Sequence, residues 1–272
     1  MSYIIAATDF SSISIHAVRY ACELSSFLKT DLLVFNAFTV PMTFSDAPLP
    51  FLPMGESEKT AEESMNSLLI SLRQDYPGIK IEGNVTYGDM AENLREIADE
   101  SSLPLFIVLG NSNTGSDTHW LDSHMLDAFR HLKFPILAVP PDYLYKPVQK
   151  ICFAYDNHPD GLDHAIGIMT SLIRLFGASL HILNAQSEVL NRDNMEEMED
   201  SDLPGLSYLN PKFHYLFNVS TETGINNFIN ENEIDLLIII PRHHSLLDNL
   251  IHRHHTRAIA RHASIPILSI HE

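Results

Sequence analysis

Basic side chains are scarce in this chain. Lysine and arginine together number 17, against 35 aspartates and glutamates, for a formal net charge of −18. A surface this acidic repels phosphate backbones and anionic lipid, so the expected partners include neither nucleic acid nor membrane. Cysteine is rarer still. Cys22 and Cys152 stand alone, in no CxxC pair and no zinc-finger spacing, and are expected to be buried free thiols of a reducing compartment. No apolar run approaches the ~20 residues that span a bilayer. The opening "MSYIIAATDF" reaches an acidic residue before a signal-peptide pattern can develop. These absences predict a cytoplasmic protein. Catalytic signatures are missing as well. No Walker segment, GxGxxG, HExxH, nucleophile elbow or pair of catalytic carboxylates is legible, so nothing argues for a chemical step, and the expectation is a non-enzyme with no catalytic residues.

What the sequence does contain is one unit written twice. "HAVRYACELSSFLKTDLLVFNAF" from His16 aligns without a gap on "HAIGIMTSLIRLFGASLHILNAQ" from His164, pairing Asn36-Ala37 with Asn184-Ala185. Upstream, "IIAATD" and "ICFAYD" end at Asp9 and Asp156. Downstream, "PLFIVLG" matches "DLLIIIP", and "RHLKFPILAV" from Arg130 matches "RHASIPILSI" from Arg261. Matched blocks in the same order indicate a tandem duplication. Each half alternates short apolar runs with helical patterns, such as Ala17, Tyr20, Ala21, Leu24 and Leu28 at spacings of three and four. "LFIVLG" is apolar on both faces, as a buried parallel strand is. The reading is α/β with a mostly parallel sheet in each half. The domains are expected at 1–143 and 148–272, joined by the proline-rich "PPDYLYKPVQK". Two loops differ between the halves: "VPMTFSDAPLPFLPMGESEKT" in the first, and the acidic, solvated "NRDNMEEMEDSDLPG" in the second.

The order and spacing of "IIAATDFS", "YGDMAENL", "LFIVLG" and "FPILAVP", with "ICFAYD", "DLLIII" and "IPILSI" in the second half, resemble the universal stress protein family in its tandem form. The resemblance implies two Rossmann-like (adenine nucleotide alpha-hydrolase-like) domains, each a five-stranded parallel sheet between helices. It also implies that the halves form an intramolecular pseudo-dimer about their closing strands, with further dimerisation open. Members that bind ATP use an Asp at the end of strand one for adenosine and a G-x2-G-x9-G-(S/T) segment for the phosphates. Glycines there let backbone N–H groups close on phosphate oxygens at a helix N-terminus.

The resemblance carries Thr8 and Asp9 into a nucleotide pocket of the first domain, and Asp156 into that of the second. The phosphate segment is degenerate in both. In the second half the glycine positions fall on Ile240, His243 and Arg253, with His254 at the Ser/Thr position. In the first half they fall on Leu109, Ser112 and Asp122, with Ser123 at the Ser/Thr position; a one-residue shift recovers Gly110 and puts Asn113 at the second. An aspartate at position 122 would face the phosphates with like charge. ATP therefore remains a possible cofactor of the first domain only, through Thr8, Asp9, Gly110, Asn113 and Ser123. Asp9 has a plainer role beside it, in a turn where a serine caps the next helix.

The second-half segment "PRHHSLLDNLIHRHHTR" sits where the phosphate loop would be. Its histidines read first as solvated or hydrogen-bonded surface residues. A second reading is a remodelled pocket for a phosphorylated ligand around Asp156, Arg253 and His254, because Arg253, Arg257 and Arg261 form one helix stripe. A metal at His252 and His255 ranks below both. Three functions are weighed: a non-enzymatic stress-response protein holding a small-molecule ligand in a remodelled pocket, an ATP-binding switch using the first half, and a module for lipid or another apolar ligand under the loop carrying Phe44, Phe51 and Leu52.

Overall fold

The computed structural model describes residues 2–39, 54–100, 103–111, 132, 134–155, 161–184, 203, 205–216, 221–241 and 264–271. The chain forms two compact units. One comprises Met1–Gly110 and Asp117–Phe134, the other Asn111–Ser116 and Pro135–Glu272.

The first unit runs β1 (Tyr3–Ala7), α1 (Ser12–Leu28), β2 (Asp31–Phe38), α2 (Met54–Asp75), β3 (Ile81–Tyr87), α3 (Met90–Glu100) and β4 (Phe106–Gly110). Its strands lie in the order β3-β2-β1-β4, all parallel. Each strand pair joined in sequence needs a crossover, and the helices supply it. β4 is buried along its whole length, as its two-faced apolarity predicts. The core includes Ile4, Ile5, Leu24, Leu32, Phe35, Phe106, Ile107 and Leu109, all essentially without solvent contact. Each such side chain contributes about 1.5–3 kcal/mol by leaving water. On α1 the periodic residues Ala17, Tyr20, Ala21 and Leu24 are buried, as their spacing requires, along with Cys22.

The second unit runs β5 (Ile136–Val139), β6 (Lys150–Tyr155), α4 (Asp163–Phe176), β7 (Ser179–Asn184), β8 (Lys212–Tyr215), α5 (Thr221–Asn232), β9 (Leu236–Ile239) and β10 (Ile267–Ser269). The order is β5-β10-β9-β6-β7-β8. All the pairings from β10 to β8 are parallel, whereas β5 and β10 pair antiparallel, Ile267 opposite Ala138 and Ser269 opposite Ile136. That pairing places β5 in the second compact unit, although by sequence repeat it closes the first half. Counted by repeat, each half contributes five strands among the described residues. The α/β class with a mostly parallel sheet is the one read from the sequence. The duplication also extends to helix ends: Lys29 and Gly177, equivalent in the ungapped alignment, are both left-handed C-caps, at φ 55° and 65°. Both cysteines are free and buried. Burial pushes the Cys22 thiol up to about 12, and that of Cys152 higher, so neither is a ready thiolate.

The proline-rich stretch before β6 is pinned to its unit by one carboxylate. Asp235, which precedes β9, accepts from the Gln149 and Lys150 amides at 2.8 and 2.9 Å and meets Lys146 Nζ at 2.7 Å. The Tyr143 hydroxyl donates to the Asp235 carbonyl at 3.3 Å. Burial alone would raise the Asp235 pKa, but Lys146 and the two amides outweigh it and hold the carboxyl below its ordinary range. A depressed carboxylate stabilises the fold above its unfolded pKa, and that contribution is lost as pH falls through the folded pKa. Asp235→Ala strands two amides and a lysine, and is expected to cost about 2–4 kcal/mol at pH 7. Urea unfolding of wild type and variant at pH 7 and pH 3 measures this, and the gap should shrink at the lower pH.

Candidate functional site

In parallel α/β sheets ligands bind at the carboxyl ends of the strands. In the first unit that edge is organised by Thr8, immediately after β1. Its amide donates to the Phe35 carbonyl at 2.8 Å, and its carbonyl accepts from Asn36 Nδ2 at 2.7 Å. Its hydroxyl is 2.9 Å from Ser14 Oγ and accepts from the Phe10 amide at 2.9 Å. Thr8 and Ser14 are fully buried. Ser14 Oγ in turn donates to the Ser11 carbonyl at 3.1 Å and accepts from the Asp9 amide at 3.3 Å. Ser11 is the N-cap of α1, its side chain accepting from the Ser14 amide, which is the serine cap expected from the sequence.

This network forces the chain through a tight corner. Phe10 stands at φ 63°, in the left-handed region, where a bulky side chain costs about 1–2 kcal/mol. The corner displays Asp9. Its Oδ1 accepts from the Ser11 amide at 3.0 Å, a side-chain-to-backbone turn that fixes the carboxylate. Among the described residues nothing donates to its other oxygen, and the residue is half-buried. Beside it, Asn36 is 5% exposed. Thr8 offers a carbonyl, so Asn36 must turn its amide nitrogen there; Oδ1 is then a buried acceptor without a donor.

Thr8 and Asp9 thus follow directly on the carboxyl end of β1. Gly110 sits at the end of β4 with a different reason for being glycine. A Cβ there would lie 3.0 Å from the Ile13 carbonyl oxygen and 3.0 Å from Ile13 Cγ2, in the first turn of α1. The close approach of helix to strand accounts for Gly110 without a phosphate. Asn113, Ser123, Asp156, Arg253 and His254 lie outside the described residues, as do Phe44, Phe51 and Leu52, most of the acidic loop and nearly all of the histidine-rich segment; the end of the first-half stretch expected as loop, Met54 to Thr60, is helix and opens α2. Asn36 and Ser14 were not singled out as site residues from the sequence. A signal for Asn36 existed, because Asn184 repeats it; Ser14 had none. In the second half Tyr155 takes the place of Thr8, opposite Asn184 at the end of β6, and is buried. Among the described residues no cluster of three or more metal-ligating side chains occurs, and no helix is long and apolar enough to cross a membrane.

The packing of Gly110 makes a direct prediction. Gly110→Val should lower stability by about 1–3 kcal/mol, because backbone rather than a flexible side-chain tip blocks the new methyl groups. Chemical denaturation measures this, and the loss should appear with no ligand in the solution.

No protein-family model and no curated protein matches the sequence. Solved structures do match across its length. A universal stress protein from Archaeoglobus fulgidus superposes with a TM-score of 0.74 at 14% identity, covering 99% of this chain and 98% of that one. A putative universal stress protein from Pseudomonas aeruginosa gives 0.61 at 13% identity, covering 100% and 93%. A functionally unknown protein from the same species gives 0.59 at 12%, covering 100% and 92%. With whole-chain coverage on both sides and so little identity, what is shared is architecture: the chain has the fold of a universal stress protein, over the length of its tandem form.

Proposed function

We propose that the chain is a diverged tandem universal stress protein that acts as a non-enzymatic, cytoplasmic ligand-binding protein. In this reading the first half keeps the nucleoside end of its pocket and has lost the phosphate end. The observation that carries it is the corner at Thr8–Ser14. That corner presents Asp9 at the carboxyl edge of a parallel strand, with one carboxylate oxygen fixed and the other without a donor among the described residues. Neighbouring Asn36 Oδ1 adds an unmet acceptor. Both groups seek donors, such as ribose hydroxyls or an exocyclic amine. Gly110 is accounted for by α1, so it lends no weight to a phosphate site. An aspartate at position 122 opposes one through like charge. The domains are proposed at 1–143 and 148–272, with the closing strands relating them as a pseudo-dimer.

Calorimetric titration of adenosine and of ATP into the full chain tests the reading. Both should bind wild type with dissociation constants within about threefold of each other, because the phosphates gain little. Asp9→Ala should weaken each about tenfold or more, the value of a charge-assisted hydrogen bond. ATP binding more than about 100-fold tighter than adenosine would instead favour an ATP-binding switch. If neither ligand binds, the nucleoside reading fails and the apolar-ligand module takes its place.

A further inference from the structure

The second unit carries two buried-side imidazoles where the first half carries none. His181 on β7 and His214 on β8 lie on the same face of the sheet, His181 opposite Lys212 and His214 opposite Leu183. The same register in the first half, with Leu33 opposite Glu82 and Phe35 opposite Asn84, gives Leu33 and Asn84. The two rings are stacked within 6° of parallel, with centroids 5.2 Å apart, and His181 Nδ1 is 3.2 Å from His214 Nε2. Phe228 of α5 covers both, at 4.6 Å from the His214 centroid and 6.3 Å from that of His181. His181 is 5% exposed, and its Nε2 is buried without a partner.

Burial on the His181 side disfavours charge. A ring-to-ring hydrogen bond needs one N–H donor and one bare nitrogen acceptor. A proton added to His181 either removes the acceptor or leaves a cation whose Nε2–H is buried without a partner. A second proton leaves two N–H groups facing each other across 3.2 Å. The charged neighbours oppose the change as well. Among the described residues they are Lys212 on β8 and Lys150 on β6, both cationic, with no carboxylate acting on the pair. Lys150 is itself paired with Glu233 at 3.4 Å. From α5 it is the apolar Phe228 ring that faces the pair. Burial first, then His214, Lys212 and Lys150, push His181 down to about 4; burial and Lys212 lower His214.

What the pair holds lies at the end of the unit's strand order. β8 is a four-residue strand with one sheet neighbour in its unit, β7. We propose that the His181–His214 pair is an acid-sensitive latch: neutral, it fastens β8 and α5 onto the second unit, and when protonated it releases them while β6, β7, β9 and β10 stay in place. The sign follows from linkage. A histidine whose folded pKa is depressed favours the folded state above its unfolded pKa of ~6.5, and that contribution drains away as pH falls from there toward the folded value. The release therefore belongs between about pH 6.5 and pH 4.

Limited proteolysis of the full chain at pH 7.5 and pH 5, with cleavage sites mapped by mass spectrometry, reads the latch. A protease active at both values is needed, with rates normalised to an unstructured reference peptide. Cleavage between Lys212 and Asn232 should rise on the order of 10- to 100-fold at pH 5 in wild type. The double substitution His181→Leu with His214→Asn installs the pair that the first half carries at this register, and should hold the rise below about threefold. Equal acid response in wild type and variant overturns the proposal, as does no response in wild type. A second measurement covers a variant that fails to fold. Imidazole nitrogen shifts of His181 and His214 in wild type are followed over the same pH range. Loss of protection together with protonation of the pair supports the latch. Protonation with protection intact overturns it.

Discussion

Thr8 sits where the first unit's sheet, its first helix and its candidate site meet, and all three depend on its hydrogen bonds. Its backbone carries the β1–β2 ladder one step beyond the strand, to Phe35, and takes up the Asn36 amide. Its hydroxyl anchors both the strained Phe10 amide and the Ser14 node that starts α1. A buried threonine here is a polar group with every partner met, so burying it costs little and fixes a great deal. The left-handed Phe10 persists because this network over-determines it. Asp9 faces outward for the same reason.

The duplication was kept as a scaffold and spent differently in its two halves. Where the first half has Thr8, the second has Tyr155, a larger side chain at the same strand end. Where the first has Leu33 and Asn84, the second has His181 and His214, exchanging an aliphatic and an amide for a titratable pair. The second half also has Asp235, whose carboxylate fastens the proline-rich stretch; its counterpart by alignment is Pro104, which has no carboxylate. Strand order survives such changes because it is set by crossovers and by apolar runs buried on both faces. Single polar side chains inside that frame are free to take up new work.

Some of this was legible in the residues and some was not. Periodicity found α1, since Ala17, Tyr20, Ala21 and Leu24 report the helix face directly, and two-faced apolarity found β4. The resemblance placed Thr8 and Asp9 at the strand end. It also cast Gly110 as a phosphate glycine, and there spacing along the chain could not see Ile13 closing from another element. The resemblance anticipated that the closing strands meet, but not that β5 falls in the compact unit of its antiparallel partner β10, which lies more than a hundred residues away.

The sequence by itself determined the class, the duplication, the net acidity and the buried thiols, because these follow from composition and short-range pattern. The tertiary structure alone decided that Asn36 turns its amide to Thr8, that Asp235 gathers Lys146 and two amides, and that His181 and His214 share one hydrogen bond. Each of these joins groups from different strands or loops. Their partners are chosen by strand register and by the exclusion of water, and neither is written in the local spacing of residues.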